Sequence, residues 1–329
     1  MILDEIKTYL GASWTGMESL MEEMLRSDIS LLDSTNRSIL SHSGKKIRPL
    51  TALLAAAACA SPGEGCNADS IRLAAASELL HNATLLHDDV ADDSAQRRGR
   101  PTVLSMLGPS AAVLMGDFWL VKAMDCVLSI SSGSGQAVKI FSKTLSDLAE
   151  GEMLQLEKSG SGDTVKEDYY RIIYSKTASL FEAAALTAAL SVGASDRERD
   201  AVRDYAVNLG MAFQIKDDIL DYAGDGSVGK PVGIDLRERK ITLPLLGALE
   251  SVSEEEAAAM RRKVCGIAGH PEYEEELRRF VQERDGIGYA ETMLAEFSAS
   301  AVTAIRQLRP SRERDYLEAL VSFVSERNA

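Results

Sequence analysis

The chain has 329 residues, of which 45% are hydrophobic and 5% aromatic, and a formal net charge of −14. Length alone allows one large domain or two ordinary ones, while an apolar fraction dominated by alanine and leucine favours helices over sheets. The negative balance argues against a nucleic-acid partner, which is held by a basic face, and no uninterrupted apolar run reaches the length of a bilayer span.

Cys59, Cys66, Cys126 and Cys265 are scattered, with neither a CxxC pair nor metal-ligand spacing. They read as reduced thiols, mostly small core residues, in a soluble cytoplasmic protein. Met1 leads directly into a charged amphipathic segment rather than a secretory leader.

Residues 1 to about 40 carry Met17, Leu20, Met21, Met24, Leu25, Leu31 and Leu32 at helical spacing, which predicts one or two helices, residues 1–35 being peripheral to the body. The methionines read as core filler rather than a cofactor box. Ser43-Gly44-Lys45-Lys46-Ile47-Arg48-Pro49 then breaks the pattern. A glycine and several cations at the mouth of a helix form either an anion seat or a solubilising basic loop. Alanine-rich helices are predicted over Leu50–Ala60 and Ile71–Leu86, with a loop at Ser61–Gly65 between them. His81 precedes Asp88 by almost two turns, so both project from one face. It is either a satisfied core histidine or, beside cations and a metal, a donor to phosphate.

That helix runs into Leu85-Leu86-His87-Asp88-Asp89-Val90-Ala91-Asp92-Asp93, followed by Arg97-Arg98-Gly99. Asp88 and Asp92 are i,i+4 neighbours with Cβ atoms roughly 5–6 Å apart. Two such carboxylates can bracket a hard dication, and Mg²⁺ suits because it takes oxygen ligands, keeps waters and shares itself with substrate phosphates. Arg97 and Arg98 supply forked donors that match phosphate oxygens. A single run of this kind is equally a solvated charged face. The second copy decides: Phe213-Gln214-Ile215-Lys216-Asp217-Asp218-Ile219-Leu220-Asp221 repeats two adjacent acids and a third four residues after the first. Two acidic triplets on separate helices read as opposing jaws around a metal–phosphate cluster.

Between the copies, Pro101–Gly108 reads as a connection, Ala111–Ile130 as a helix and Ser131–Gly135 as an exposed loop. Val138–Glu157 reads as a long helix, Lys158–Asp163 as a second loop and Asp168–Leu190 as a further helix. The last carries Lys176-Thr177 within an apolar face, where a lysine either meets an anion or snorkels to water. After the second acidic motif, the glycine-rich Gly224–Asp235 follows no strand and lacks nucleotide-loop spacing. It reads as a mobile lid or edge, with Lys230 and Lys240 placed to fold over bound phosphate. Leu243–Leu249, Glu254–Val264, Glu272–Arg284, Tyr289–Leu308 and Arg312–Arg327 complete the predicted helices. No sustained period-2 run, short repeat or composition shift interrupts them, so the expectation is a single all-α domain over 1–329.

These motifs, in this order, resemble the trans-isoprenyl diphosphate synthases, or polyprenyl synthetases, over nearly the whole chain after the first thirty or so residues. The resemblance rests on Gly44-Lys45-Lys46-Ile47-Arg48-Pro49, the first acidic motif with Arg97-Arg98-Gly99, Lys176-Thr177, Phe213-Gln214 with the second acidic motif, and Lys230 with Lys240-Ile241-Thr242. It implies antiparallel helices around a deep central cavity, usually as a homodimer. By the same resemblance Asp88, Asp92, Asp217 and Asp221 would hold two or three Mg²⁺ ions on the diphosphate of an allylic substrate, with Asp89 and Asp218 completing the acidic shells. Arg97, Lys176, Thr177, Gln214, Lys230 and Lys240 would contact that substrate, with Phe213 in the same binding set. Lys45, Arg48, His81 and Arg98 would hold isopentenyl diphosphate. The implied reaction is ionisation, attack of the isopentenyl double bond on C1 and loss of a proton, with the departing diphosphate as acceptor.

Two departures are modest. Ser43-Gly44 replaces the family's usual glycine pair, and Arg239-Lys240 replaces its usual Gly-Lys. In the family, bulky residues four and five positions before the first acidic motif act as a floor that stops chain growth. Here those positions are Thr84 and Ala83, with Leu80 a turn below, so the floor reads as open and the product as longer than geranylgeranyl diphosphate. The alternatives are a short-chain farnesyl or geranylgeranyl synthase, a terpene cyclase and a catalytically silent partner subunit. A cyclase typically carries an Asn/Ser/Glu second motif, whereas Asp217-Asp218-Ile219-Leu220-Asp221 stands here. A silent subunit would have lost aspartates or cations, and a di-iron bundle would need Glu-x-x-His pairs.

Overall fold

The computed structural model describes residues 2–42, 44–97, 99–223 and 233–327. They fall into two compact units, each made of discontinuous segments: Met1–Lys143, Leu180–Ala206 and Ala304–Leu320 in the first, and Thr144–Ser179, Val207–Thr303 and Val321–Ala329 in the second. Among the described residues, α-helix is interrupted by loops, by one π-helical turn and by one hairpin of two two-residue strands.

The first unit begins with α1 (Ile2–Leu10), α2 (Ala12–Met24) and α3 (Ser30–Ser41). These are three helices rather than the one or two expected, because Gly11 at φ 47° turns the chain between the first pair. Met17 and Met21 are buried, as core filler should be. Helix α4 (Ile47–Cys59) buries every residue but Ala57, and its alanines allow close packing on α5 (Ala68–Ala91). Asn67 caps α5 by accepting from the Ser70 amide at 2.7 Å. The connection expected over Pro101–Gly108 holds a short helix, α6 (Val103–Leu107), whose cap Thr102 accepts from the Ser105 amide at 3.1 Å. Helix α7 (Pro109–Leu128) lies against α5 at Gly116, where a Cβ would collide with the His87 ring. Two polar links fix it further: Trp119 Nε1 donates to Asn36 at 2.8 Å, and the Ser131 amide after α7 donates to Asp69 at 3.0 Å.

Further along the chain come α8 (Ser134–Ser161), α10 (Ser179–Ser191), α11 (Asp196–Ala223), α16 (Gly286–Ile305) and α17 (Arg312–Glu326). The loop expected at Lys158–Asp163 is helical as far as Ser161. The stop is Gly162, at φ 71°, whose amide returns to the Lys158 carbonyl at 2.8 Å as a helix-ending glycine does. The second unit also contains α9 (Lys166–Ile173), α12 (Ile234–Arg237), α13 (Leu243–Glu250), α14 (Glu254–Gly266) and α15 (Glu272–Glu283). Helix α13 is buried along its length up to Glu250 and forms the core of that unit.

Where one helix was expected over Asp168–Leu190, α9 and α10 are separated by a single π-helical turn, Tyr174–Ala178. Two glycines pin it. A Cβ on Gly151 of α8 would meet Ser175 and Lys176, and one on Gly210 of α11 would meet the Ala178 backbone. Such widened turns recur at functional positions, and this one carries Lys176 and Thr177. Cys59 and Cys126 are buried free thiols, and Cys66 and Cys265 are half-buried ones. Among the described residues, no helix is long and apolar enough to cross a membrane.

Candidate active site

In the first unit the acidic motif closes α5. Asp88 and Asp89 lie in its last turn and Asp92 is its C-terminal cap, so the helix ends one residue before the third acid. The expected i,i+4 register still holds, because the Asp92 amide reaches the Asp88 carbonyl at 2.9 Å. Asp93 then adopts φ 48°, and the chain folds into the hairpin β1 (Gln96–Arg97) and β2 (Arg100–Pro101). The hairpin returns Arg97 to the helix end, where its Nε lies 2.8 Å from Asp89 Oδ1. Burial raises the pKa of Asp89 above the usual carboxylate range, Arg97 opposes that and Asp92 adds to it.

Lys46 begins α4 in the left-handed region at φ 52° and is tied to Glu18 at 2.7 Å. Lys45 beside it is exposed, and Arg48, buried, stacks its guanidinium 4.7 Å from the Phe181 ring. His81 is half-buried on α5, and its carbonyl accepts from the Thr84 hydroxyl at 2.8 Å. Leu80 and Ala83 are buried and Thr84 is half-buried. Arg98 lies outside the described residues, as does Lys230.

In the second unit the acidic motif occupies the last turns of α11 and is wired to distant parts of the chain. Thr177 donates to Gln214 Oε1 at 2.8 Å, and Gln214 Nε2 donates to Asp218 Oδ1 at 2.9 Å. The buried Tyr169 hydroxyl donates to the other oxygen, Asp218 Oδ2, at 2.6 Å. The π turn therefore presents Thr177 to this relay, while Lys176 pairs with Glu152 at 2.6 Å; the lysine meets an anion. Asp221 accepts the Ile234 and Asp235 amides at 3.1 and 3.0 Å, tying down the start of α12. Asp217 is paired with Arg327 at 3.0 Å.

Sequence reasoning assigned no role to Asp235 or Arg327. In the sequence Asp235 marks only the end of a glycine-rich segment, and Arg327 the end of the last helix. Neither stands at a motif spacing from the acidic triplet. Yet Asp218, Asp221 and Asp235 all have raised pKa values, first through burial; Asp218 and Asp221 each push Asp235 further up, and Lys240 opposes them. A cavity of about 110 Å³ opens on this cluster, lined among others by Lys158, Tyr169, Lys176, Gln214, Asp218 and Lys240.

These placements fit a cation better than they fit stability. Both triplets stand at helix C-termini, where the backbone carbonyls already carry partial negative charge and anions cost about 0.3–1 kcal/mol each. The donors are oxygens only, as a hard dication prefers. Among the described residues, no three His, Cys, Asp or Glu side chains stand together as a group that could hold a metal ion.

Comparison with known proteins agrees with the geometry. The family pattern described as "Polyprenyl synthetase" matches residues 29–283. The octaprenyl diphosphate synthase of Escherichia coli (strain K12) is 41% identical over 265 residues, covering 80% of this chain and 80% of that one. The octaprenyl diphosphate synthase of Haemophilus influenzae is 38% identical over 324 residues, covering 98% and 95%. Among solved structures, the polyprenyl synthase of Caulobacter crescentus CB15, complexed with calcium and isoprenyl diphosphate, superposes with a TM-score of 0.90 at 33% identity, covering 99% and 98%.

Proposed function

Because the chain belongs to the polyprenyl synthetase family, we propose that it condenses isopentenyl diphosphate with an allylic diphosphate to give a trans-polyprenyl diphosphate longer than geranylgeranyl. One observation carries the reading: two Asp-Asp-x-x-Asp triplets close two separate helices, α5 and α11, gathering carboxylates at helix ends where a bound dication would relieve their repulsion. Relatives named for octaprenyl products support the long product, as do the small side chains of Ala83 and Thr84 before the first triplet.

Asp88, Asp92, Asp217 and Asp221 would hold two or three Mg²⁺ ions, which when bound neutralise the diphosphate and ease its departure. Asp89 and Asp218 orient that set, held respectively by Arg97 and by Gln214 with Tyr169. Lys176, Thr177, Gln214, Phe213, Arg97, Lys230 and Lys240 bind the allylic diphosphate, and Lys45, Arg48, His81 and Arg98 the isopentenyl one. Breaking of the allylic C–O bond is followed by attack of the isopentenyl double bond on C1, and the released diphosphate takes the proton. Arg97 and Lys176 are each paired with a carboxylate, so substrate oxygens join Asp89 and Glu152 as partners of these cations.

We propose a cytoplasmic homodimer. Leu107, Leu114, Val121 and Leu128 are 39%, 68%, 56% and 61% exposed, seven residues apart along α6 and α7. A stripe of that kind marks a partner-facing surface.

Full-length protein with Mg²⁺, isopentenyl diphosphate and geranyl, farnesyl or geranylgeranyl diphosphate tests the assignment by product sizing. Products beyond geranylgeranyl are expected. Absence of any product overturns the transferase, and growth that halts at geranylgeranyl overturns the long-chain reading.

A further inference from the structure

Arg327, one residue beyond α17, sends its side chain back onto α11 and is 6% exposed there. Its Nη2 donates to the Phe213 carbonyl at 2.7 Å and lies 3.0 Å from Asp217 Oδ1. Its guanidinium carbon stands 3.9 Å from the centroid of the Phe213 ring. Phe213 and Asp217 are i,i+4 neighbours on one helix face, so a single cation grips a ring, a carbonyl and a carboxylate of the same turn. The buried Nε has no hydrogen-bond partner among the described residues. A buried guanidinium is costly unless compensated, and Asp217 is the only carboxylate the described residues pair with it.

We propose that Arg327 is a positioning residue, an internal counter-ion that occupies Asp217 until a dication displaces it and so sets how much metal the second acidic motif requires. The proposal rests on the reading of Asp217 as a metal ligand. The Asp217 side chain is 38% exposed beside the buried guanidinium, so an approaching ion can reach the carboxylate and guanidinium and dication can exchange stepwise. A guanidinium cannot shed its proton to escape the competition, so its charge opposes the metal at every working pH. A role in packing alone predicts the opposite sign, because loss of Arg327 would loosen Asp217 and weaken the metal.

The test is Mn²⁺ binding to the full-length chain without any prenyl diphosphate, with free Mn²⁺ read by electron paramagnetic resonance. Removing one positive charge beside a dication site on a half-exposed surface corresponds to about three- to tenfold in affinity. Arg327→Met is therefore expected to bind Mn²⁺ about three- to tenfold more tightly. Arg327→Lys, which keeps the charge, should stay within about twofold of the parent. In an Asp217→Asn background, Arg327→Met should change nothing, since the guarded carboxylate is gone. Far-UV circular dichroism checks that each variant is folded, and Arg327→Gln replaces the methionine variant if it is not. Mn²⁺ binding that is unchanged or weaker in folded Arg327→Met or Arg327→Gln overturns the counter-ion. Mn²⁺ binding that is unchanged in Asp217→Asn alone overturns instead the assignment of Asp217 as a ligand.

Discussion

At the end of α5, Asp89 is held by Arg97, eight residues further along the chain and delivered by a local hairpin. At the end of α11, Asp218 is held by Tyr169, 49 residues earlier, and Asp217 shares a cation whose other bond spans 114 residues. The two triplets have one spelling and opposite wiring. Their middle acids are alike, Asp89 at 5% and Asp218 at 3% exposure, but the first triplet is assembled by neighbours and ends with Asp92 exposed, while the second is assembled by tertiary structure and ends with Asp221 half-buried. The lesson is that an identical pattern can be held by neighbours in the chain in one place and by long-range contacts in another. Substitutions should accordingly separate function from stability in the first region and entangle them in the second.

The largest effect expected is on turnover. Asp92→Ala should lower kcat by about 10²–10³, the usual loss when one charge-stabilising group is removed, while the melting temperature stays within about 2 °C because the residue is an exposed cap. A large fall in melting temperature would break the contrast. Next, Thr84→Phe should shorten the main product by at least one isoprene unit. Thr84 is half-buried where Ala83 is closed in, so phenylalanine fits better at the first position than at the second. An unaltered chromatogram would show that α5 does not form the floor.

A pair of glycine substitutions sharpens the comparison further. Gly210→Ala drives a methyl group into the backbone of Ala178 in the π turn, and overpacking against backbone costs about 1–3 kcal/mol. Gly116→Ala meets only the His87 side chain, which can swing aside, so about 1 kcal/mol or less is expected. Urea unfolding midpoints measure both, and equal losses would deny the second region its tighter construction. The smallest effect is Tyr169→Phe. It removes one hydrogen bond to a buried carboxylate, worth about 1.5–3 kcal/mol if Asp218 stays charged. Since the pKa of Asp218 is raised by burial and by Asp217 and Asp221, an observed loss near 1 kcal/mol or below is expected from thermal melts.

Local features of the site were legible in the sequence because they depend on local periodicity. The i,i+4 spacing of Asp88 with Asp92, the lead-in helices and the buried methionines of α2 all follow from residues within a few turns, whereas charge balance alone left Lys176 between an anion and water. The π turn was not legible. Its Tyr174–Ala178 stretch widens because Gly151 and Gly210 let two other helices press on it, and no property of the five residues announces that. The extension of α8 to Ser161 was missed for a related reason. Gly160 and Gly162 look alike in sequence, but only Gly162 takes a positive φ and ends the helix. Asp235 and Arg327 were invisible as site residues because each reaches the acidic motif through tertiary folding.

The placement of two carboxylate groups at the dipole-negative ends of α5 and α11 has a consequence for the protein outside catalysis. Folding concentrates repulsion that the unfolded chain disperses, so the native form is the species that gains most from dissolved magnesium. By mass action, salt at about a hundred times its dissociation constant adds about 2.7 kcal/mol to the folded state. Heat tolerance of the chain should therefore climb with divalent salt in the absence of any prenyl compound, and fall back on addition of a chelator.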